Sequence, residues 1–303
     1  MELDMSAITM KTKGRLKRPR VGDWVVVAIM LLLITTCILP VMNVVARSFS
    51  DPVAIMRQQV AFLPVGFNMD AYRDVLGDNR FMFSLGWTAV LTFISTIAAL
   101  TMTTLAAYPL TYDHLKGRKV ITLLIIFTMY FQAGLIPTFV LYRDLNLLNN
   151  PMVLILPGLI SVFLMIILRK FFLGIPDSLR ESAEIDGAGP FTILVKIYLP
   201  LSTPALATLG LMYAVGRWNG FLDAMFFMQR NLRWHPIQLL LFQIIQGRIG
   251  VDTTLDPGAA AAPGTTQAVQ AASIVVAMVP ILCVYPWLQK YFVAGVTLGA
   301  VKG

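Results

Sequence analysis

The sequence predicts an all-α integral membrane protein with six transmembrane helices, and three observations lead there. Of 303 residues, 57% are apolar and only 13% charged, with a mean hydropathy of +0.73. A soluble domain carries about 25% charged residues, so roughly half of that charge is missing. This excludes a water-soluble globule, a disordered chain and a nucleic-acid binder that relies on dense Lys/Arg. Uncharged runs of sufficient length are the second observation. A helix rises about 1.5 Å per residue, so about 20 apolar residues cross a hydrocarbon core of about 30 Å. The third is the bias of basic residues toward one set of connecting segments, described below.

In chain order, residues 1–21 form a basic arm and residues 22–303 a six-span domain. The spans are expected at about 24–46, 81–110, 120–142, 151–168, 199–223 and 271–289. The first should remain as an anchor. Its apolar run exceeds the 7–15 residues of a cleaved signal and no small-x-small site follows it. Gly, Thr and Ala scattered through the spans suit close helix packing. A shorter run at 234–247, which includes His235 and Pro236, falls short of a crossing and is expected as an interfacial or re-entrant helix. Two connections are long, 47–80 and 227–270, and the second ends in an Ala/Pro/Gly/Thr-rich stretch that reads as a flexible loop.

Six spans put both termini on one side. That side carries Lys11, Lys13, Arg15, Lys17, Arg18 and Arg20 in the arm and Lys116, Arg118 and Lys119 after the second span. Arg169, Lys170, Arg180 and Lys196 follow the fourth span, and Lys290 and Lys302 lie in the tail. Excess Lys/Arg marks the cytoplasmic face, so most of the net charge of +8 reads as topology. Cys37 and Cys283 sit in apolar runs, and with His114 and His235 they give no disulfide framework and no metal spacing. No Gly-x-Ser-x-Gly, His-Glu-x-x-His or carboxylate cluster is present, so no catalytic residue is assigned. The chain has no Gly-Lys dipeptide and therefore no phosphate-binding P-loop.

The segment 175–200 between the fourth and fifth spans holds the most information. Ser178 with Glu181 three residues on reads as a capping box opening a helix. Gly187, Gly189 and Pro190 read as its end, a tight turn and the start of a second helix. There Phe191, Leu194 and Tyr198 are expected to form one apolar stripe. The result is a helix-turn-helix shaped to dock into a groove on another protein.

Those residues resemble the EAA loop of ABC-importer permeases. The pattern runs Glu181-Ser182-Ala183, three residues to Gly187, nine residues to Ile197, then Leu199-Pro200, and departs only at Ser182, where Ala is usual. Further similarity to carbohydrate-uptake permeases lies in Tyr213 through Arg217-Trp218-Asn219, in 285–292, and in the closing Gly299-Ala300-Val301-Lys302-Gly303. The runs at 67–72 and 134–138 resemble the branch that handles larger or modified oligosaccharides, alginate-type importers among them. The resemblance implies a type I ABC-importer permease fold and a bacterial inner-membrane subunit forming half of a carbohydrate pathway. The partners implied are a second homologous permease, an ATPase dimer that binds ATP and Mg, an extracytoplasmic sugar-binding protein, membrane lipids and the carbohydrate itself. No cofactor is expected in this chain and no nucleic acid. Glu181, Ser182, Ala183, Asp186, Gly187, Ile197, Leu199 and Pro200 would form the ATPase-coupling loop. Gly299, Val301, Lys302 and Gly303 would reach the ATPase, and an outer loop at 251–266 would probe the binding protein.

Within the spans, Gln132, Tyr213, Trp218 and Asn219 are the candidates to line the pathway, although an interhelical hydrogen bond is the preferred account of Gln132. Arg217, 18 residues beyond Leu199, is expected near the outer interface, where Arg and Trp anchor and snorkel. An ion-coupled secondary transporter is the competing class, but it would place ionisable groups near the midplane, and the spans contain essentially none.

Overall fold

The computed structural model describes residues 21–131, 133–247 and 263–300, and within them there is helix and loop but no strand. Three helices are long and apolar enough to cross a membrane unbroken. These are α1 (Val21–Ser48), α4 (Asn79–Ala107, prolonged by a 3₁₀ turn at Pro109–Thr111) and α14 (Pro263–Ala300). Between α1 and α4 lie two short helices, α2 (Pro52–Met56) and α3 (Asp70–Gly77). The remaining apolar runs are broken pairs. The first pairs α5 (Arg118–Tyr130) with α6 (Leu135–Asp144), the second the 3₁₀ turns at Pro151–Gly158 with α7 (Val162–Phe172). After α7 come α8 (Asp177–Ile185), α9 (Pro190–Ile193), a π-turn stretch at Leu194–Tyr198, α10 (Leu199–Leu201) and α11 (Thr203–Asn219). Two further helices, α12 (Leu222–Phe227) and α13 (Ile237–Ile245), lead toward α14.

The fifth expected span, 199–223, is not a straight helix. The chain bends by 83° between Pro190–Leu201 and Thr203–Asn219. Proline explains the bend. Pro204 has no N–H to give the carbonyl of Pro200, and a proline ring clashes with the carbonyl four residues back. The Thr203 hydroxyl donates to the Pro200 carbonyl instead, at 2.8 Å, and the helix restarts in a new direction. It stops again at Gly220, whose backbone is extended. A straight-helix measure from Leu199 to Arg217 therefore does not hold.

α4 is the spine. It packs along α11 and α7, while α14 packs against α11, α1, α2 and α3. The helix starts two residues earlier than hydropathy alone places it, because the Asp78 carboxylate accepts the amides of Arg80 and Phe81 at 2.7 and 3.0 Å, a side-chain N-cap. α1 is exposed along most of its length and apolar all round, as expected of a helix solvated by lipid. Gly264 lets α14 begin against α2, since a Cβ there would lie 2.1 Å from the Pro52 carbonyl oxygen.

Three apolar clusters run along α4. One joins Phe81 to α2, α3, α13 and α14, and a second joins Leu91 to α12 and the 151–154 turn. The third joins Ala107 and Tyr108 to the end of α7 and to residues 193–198. The run expected as an interfacial or re-entrant helix forms α13, whose Ile237, Leu239, Leu240, Leu241 and Ile244 are buried. Ser84 donates to the His235 carbonyl at 2.6 Å and the Thr88 hydroxyl accepts the Ile237 amide at 2.8 Å, so two polar residues of α4 cap its start.

Candidate functional site

The 175–200 segment rests on an aromatic base at the ends of α4 and α7. Tyr108 meets Tyr198 and Tyr112 edge-on with ring centroids 5.0 and 5.3 Å apart, and Phe172 meets Tyr198 at 5.4 Å. These edge-to-face contacts add to the burial of the rings. The Tyr108 and Tyr112 hydroxyls share a 2.6 Å hydrogen bond, and Arg169 of α7 donates to the Leu110 carbonyl at 2.9 Å.

α8 lies on this base by one face. Arg180 stacks over the Tyr112 ring at 5.0 Å and pairs with Asp177 at 3.0 Å and, more loosely, Glu184 at 3.8 Å. Burial works against its charge, but the facing Asp177 and Glu184 carboxylates and Tyr198 outweigh that and hold its pKa above the ordinary arginine value. Ala183, one turn on, is half-buried against the same core. Glu181 and Ser182 point the other way and are exposed, so Ser in place of Ala at 182 meets no crowding within this chain. The expected capping box is absent. α8 starts at Asp177 with Pro176 as its N-cap residue and no side-chain cap bond, which places Ser178 inside the first turn. The proline fixes the entry, and the Asp177 charge sits at the positive end of the helix dipole.

The far end of α8 is a Schellman turn. The Gly187 amide donates to the Glu184 carbonyl at 3.0 Å and the Ala188 amide to the Ala183 carbonyl at 2.9 Å, the bond pair that defines that motif. Asp186 is the C-cap residue and exposed, and Gly187 takes φ +81°. Pro190 opens α9 with Gly189 as N-cap residue. The expected stripe breaks up. Leu194 and Tyr198 are buried with Ile193, whereas Phe191 is 70% exposed. A π-turn winds more residues per turn than an α-helix, so Phe191 and Tyr198 lose their common face. Ile197 and Leu199 are half-buried against the core and Pro200 is exposed at the bend. Ile185 on the outer face of α8 is 86% exposed. Beside α9, Phe191, Pro190, Tyr108 and Leu115 border an open apolar groove of about 480 Å³.

The profile of the family described as "binding-protein-dependent transport system inner membrane component" matches residues 99–298. The chain belongs to this family. The "Polygalacturonan/rhamnogalacturonan transport system permease protein YtcP" of Bacillus subtilis (strain 168) is 39% identical over 94% of this chain and 99% of that protein. "Protein LplC" of the same organism is 39% identical over 88% of this chain and 90% of that one. Among solved structures, a chain of "a bacterial ABC transporter involved in the import of the acidic polysaccharide alginate" superposes with a TM-score of 0.80 at 33% identity, covering 91% of this chain and 99% of that chain. The protein is thus a permease subunit of type I fold, and the EAA-like segment is the hairpin just described.

The other expected site residues of this permease scatter. Tyr213 joins three helices, its hydroxyl lying 2.6 Å from the Thr103 hydroxyl and accepting the Ser161 amide at 3.0 Å. Trp218 is buried, and Asn219 is exposed and donates back to the Val215 carbonyl at 3.0 Å. Arg217 does not snorkel. It is 12% exposed, paired with Asp223 beyond the Gly220 break, and donates to the Leu154 and Gly220 carbonyls at 2.9 and 3.0 Å. Gly299 lies in α14. Gln132, Val301, Lys302, Gly303 and the loop residues 251–262 lie outside the described residues. Sequence reasoning missed the base of Tyr108, Tyr112 and Phe172; Tyr108 and Tyr112 flank the 3₁₀ turn at Pro109–Thr111, and the Pro109 that ends the helix between them was the available signal.

Proposed function

We propose that this permease forms half of the membrane pathway of an ATP-driven oligo- or polysaccharide importer and takes its power stroke through the 175–200 hairpin. In this reading the hairpin, the basic arm and both termini face the cytoplasm of a bacterial cell. A homologous permease supplies the other half of the pathway, and two separate ATPase subunits bind ATP and Mg. An extracytoplasmic binding protein delivers the sugar, and the tail 295–303 reaches the ATPase.

The observation that carries the reading is Ile185, exposed on a helix whose opposite face is fixed to the ends of α4 and α7. A single exposed apolar side chain is ordinary, but the same hairpin also leaves Phe191 70% exposed beside the open apolar groove, and covering each of these side chains contributes about 1.5–3 kcal/mol. Glu181, Ser182 and Asp186 share the open side with it. Because interiors are close-packed and transmit strain, a push on α8 reaches α4 and α7 through Arg180, Ala183 and Tyr198. Polysaccharide cargo is supported by two of these relatives, transport proteins for polygalacturonan/rhamnogalacturonan and for alginate. The test is a photo-crosslinking residue at Ile185 in native membranes. Capture of a nucleotide-binding subunit, changing in yield with ATP, is expected; capture of lipid alone would overturn the docking role.

A further inference from the structure

Opposite the hairpin, at the end of the bundle where α6 and α12 stop, lies an open cleft of about 410 Å³ with a mixed polar and apolar lining. We infer that this cleft is a subsite for the carboxylated sugar units of an acidic oligosaccharide, gripped by Arg143 and Arg230. The inference rests on the importer reading and names the substrate class within it.

The cleft is built from two loops tied together. The Asn149 amide donates to the Phe227 carbonyl at 2.8 Å, the Asn149 side-chain oxygen accepts the Arg230 amide at 2.8 Å, and the Asn231 side chain donates to the Asn149 carbonyl at 3.3 Å. Asn146 and Asn149 both hold positive φ, 55° and 59°. Such conformations cost energy and persist where the surroundings over-determine them, so the loops present a fixed shape.

Its chemistry matches a uronate unit part by part. Arg143 gives its Nε–H to Asp144 at 3.0 Å and retains its Nη donors. The Arg230 guanidinium makes no hydrogen bond or ion pair among the described residues, and its planar fork suits bidentate binding of a carboxylate. Asn146 and Gln229 add carboxamides, which both donate to and accept from sugar hydroxyls. Phe139 and Phe226 supply aromatic walls on which the C–H face of a pyranose can lie. A few convergent polar groups set against aromatic walls is the usual make-up of a small-molecule site.

The test uses the complete importer, with its own partner subunits, in nanodiscs without its binding protein. Saturation-transfer NMR would report binding of trigalacturonate and of its neutral methyl ester. Wild type should bind the acid, and Arg230→Gln should weaken it by about tenfold or more, the loss expected for one charged hydrogen bond. The ester should bind weakly and equally to both, and Arg230→Lys should rescue only in part. Equal binding of the acid by wild type and Arg230→Gln would overturn the site. So would an Arg230→Gln defect confined to capture of the binding protein, which would make the cleft a protein-docking surface. In sealed proteoliposomes supplied with the binding protein, wild-type importer that takes up no saccharide with ATP would defeat the importer reading itself, whereas intact uptake together with an Arg230→Gln that binds the acid as wild type does defeats the subsite alone.

Discussion

Replacing Gly187 isolates the turn that shapes the hairpin. Gly187 sits at φ +81°, and no heavy atom lies within 4 Å of where a Cβ would be. An alanine there causes no collision, so its cost is that of holding an L-residue in the left-handed region, about 1–2 kcal/mol. That is about a 5- to 30-fold change in the ratio of closed to open turn. The bond that reports closure is Ala188 N–H to the Ala183 carbonyl, at 2.9 Å. Hydrogen exchange at the Ala188 amide should accelerate by that factor in Gly187→Ala, and Gly187→Asn should recover part of it because Asn tolerates this conformation. In proteoliposomes holding the full importer, Gly187→Ala should lower substrate moved per ATP. Gly187→Leu should uncouple transport from hydrolysis more completely, with membrane insertion intact. Unchanged exchange in Gly187→Ala, or normal transport by Gly187→Leu, would refute the reasoning.

Three further outcomes follow from the same geometry. His235 is 4% exposed, its Nε2 sits 2.8 Å from the Met228 carbonyl and its Nδ1 is buried without a hydrogen-bond partner among the described residues; burial, with Arg80 adding to it, lowers its pKa below the usual histidine value. Between the unfolded pKa of about 6.5 and the lower folded value the unfolded chain binds more protons, so stability present above that range is lost as pH falls through it, by at most about 1.4 kcal/mol per pH unit. Thermal unfolding of the purified protein from pH 7.5 to 5.5 should show this, and His235→Gln should flatten the slope. Asp223→Asn leaves the Arg217 charge with neutral carbonyl acceptors only and should cost toward the lower end of about 3–5 kcal/mol, since Asp223 keeps 31% exposure; Arg217→Met with Asp223→Asn should cost less than Asp223→Asn alone when melting temperatures are compared. Tyr213→Phe removes the oxygen shared by Thr103 and Ser161 and should cost about 1–3 kcal/mol, read as a lower melting temperature, whereas a pure sugar contact would lower uptake and leave melting unchanged.

What the sequence made legible were features with local causes. Hydropathy placed α1, α4 and α14, and the Gly187, Gly189 and Pro190 run placed the turn, because backbone freedom and ring constraint act within a few residues. The misplaced features depend on competition between neighbours. Ser178 and Glu181 fit a capping box, but Pro176 one residue before Asp177 already sets where the helix begins. Pro200 and Pro204 are conspicuous in the sequence, yet the direction of the chain after the 83° bend depends on how Thr203 takes over the Pro200 carbonyl that Pro204 cannot reach. Phe191 left the expected stripe because a π-turn changes the winding, which a fixed helical period does not register. Arg217 was read as an anchor because its partner Asp223 lies beyond a break in the helix. The Arg143 and Arg230 cleft carries no motif, since its residues come from two loops brought together by side-chain and backbone bonds of Asn149.

In the proposed function this permease is powered by separate ATPase subunits. Affinity purification of the full chain from its native membrane, with mass spectrometry of its companions, tests that most directly. Recovery of a second permease, an ATPase and a saccharide-binding protein is expected, with the ATPase lost first when Ile185 is replaced by Asp. Recovery of this chain alone, still driving saccharide uptake in liposomes from an ion gradient without ATP, would contradict it.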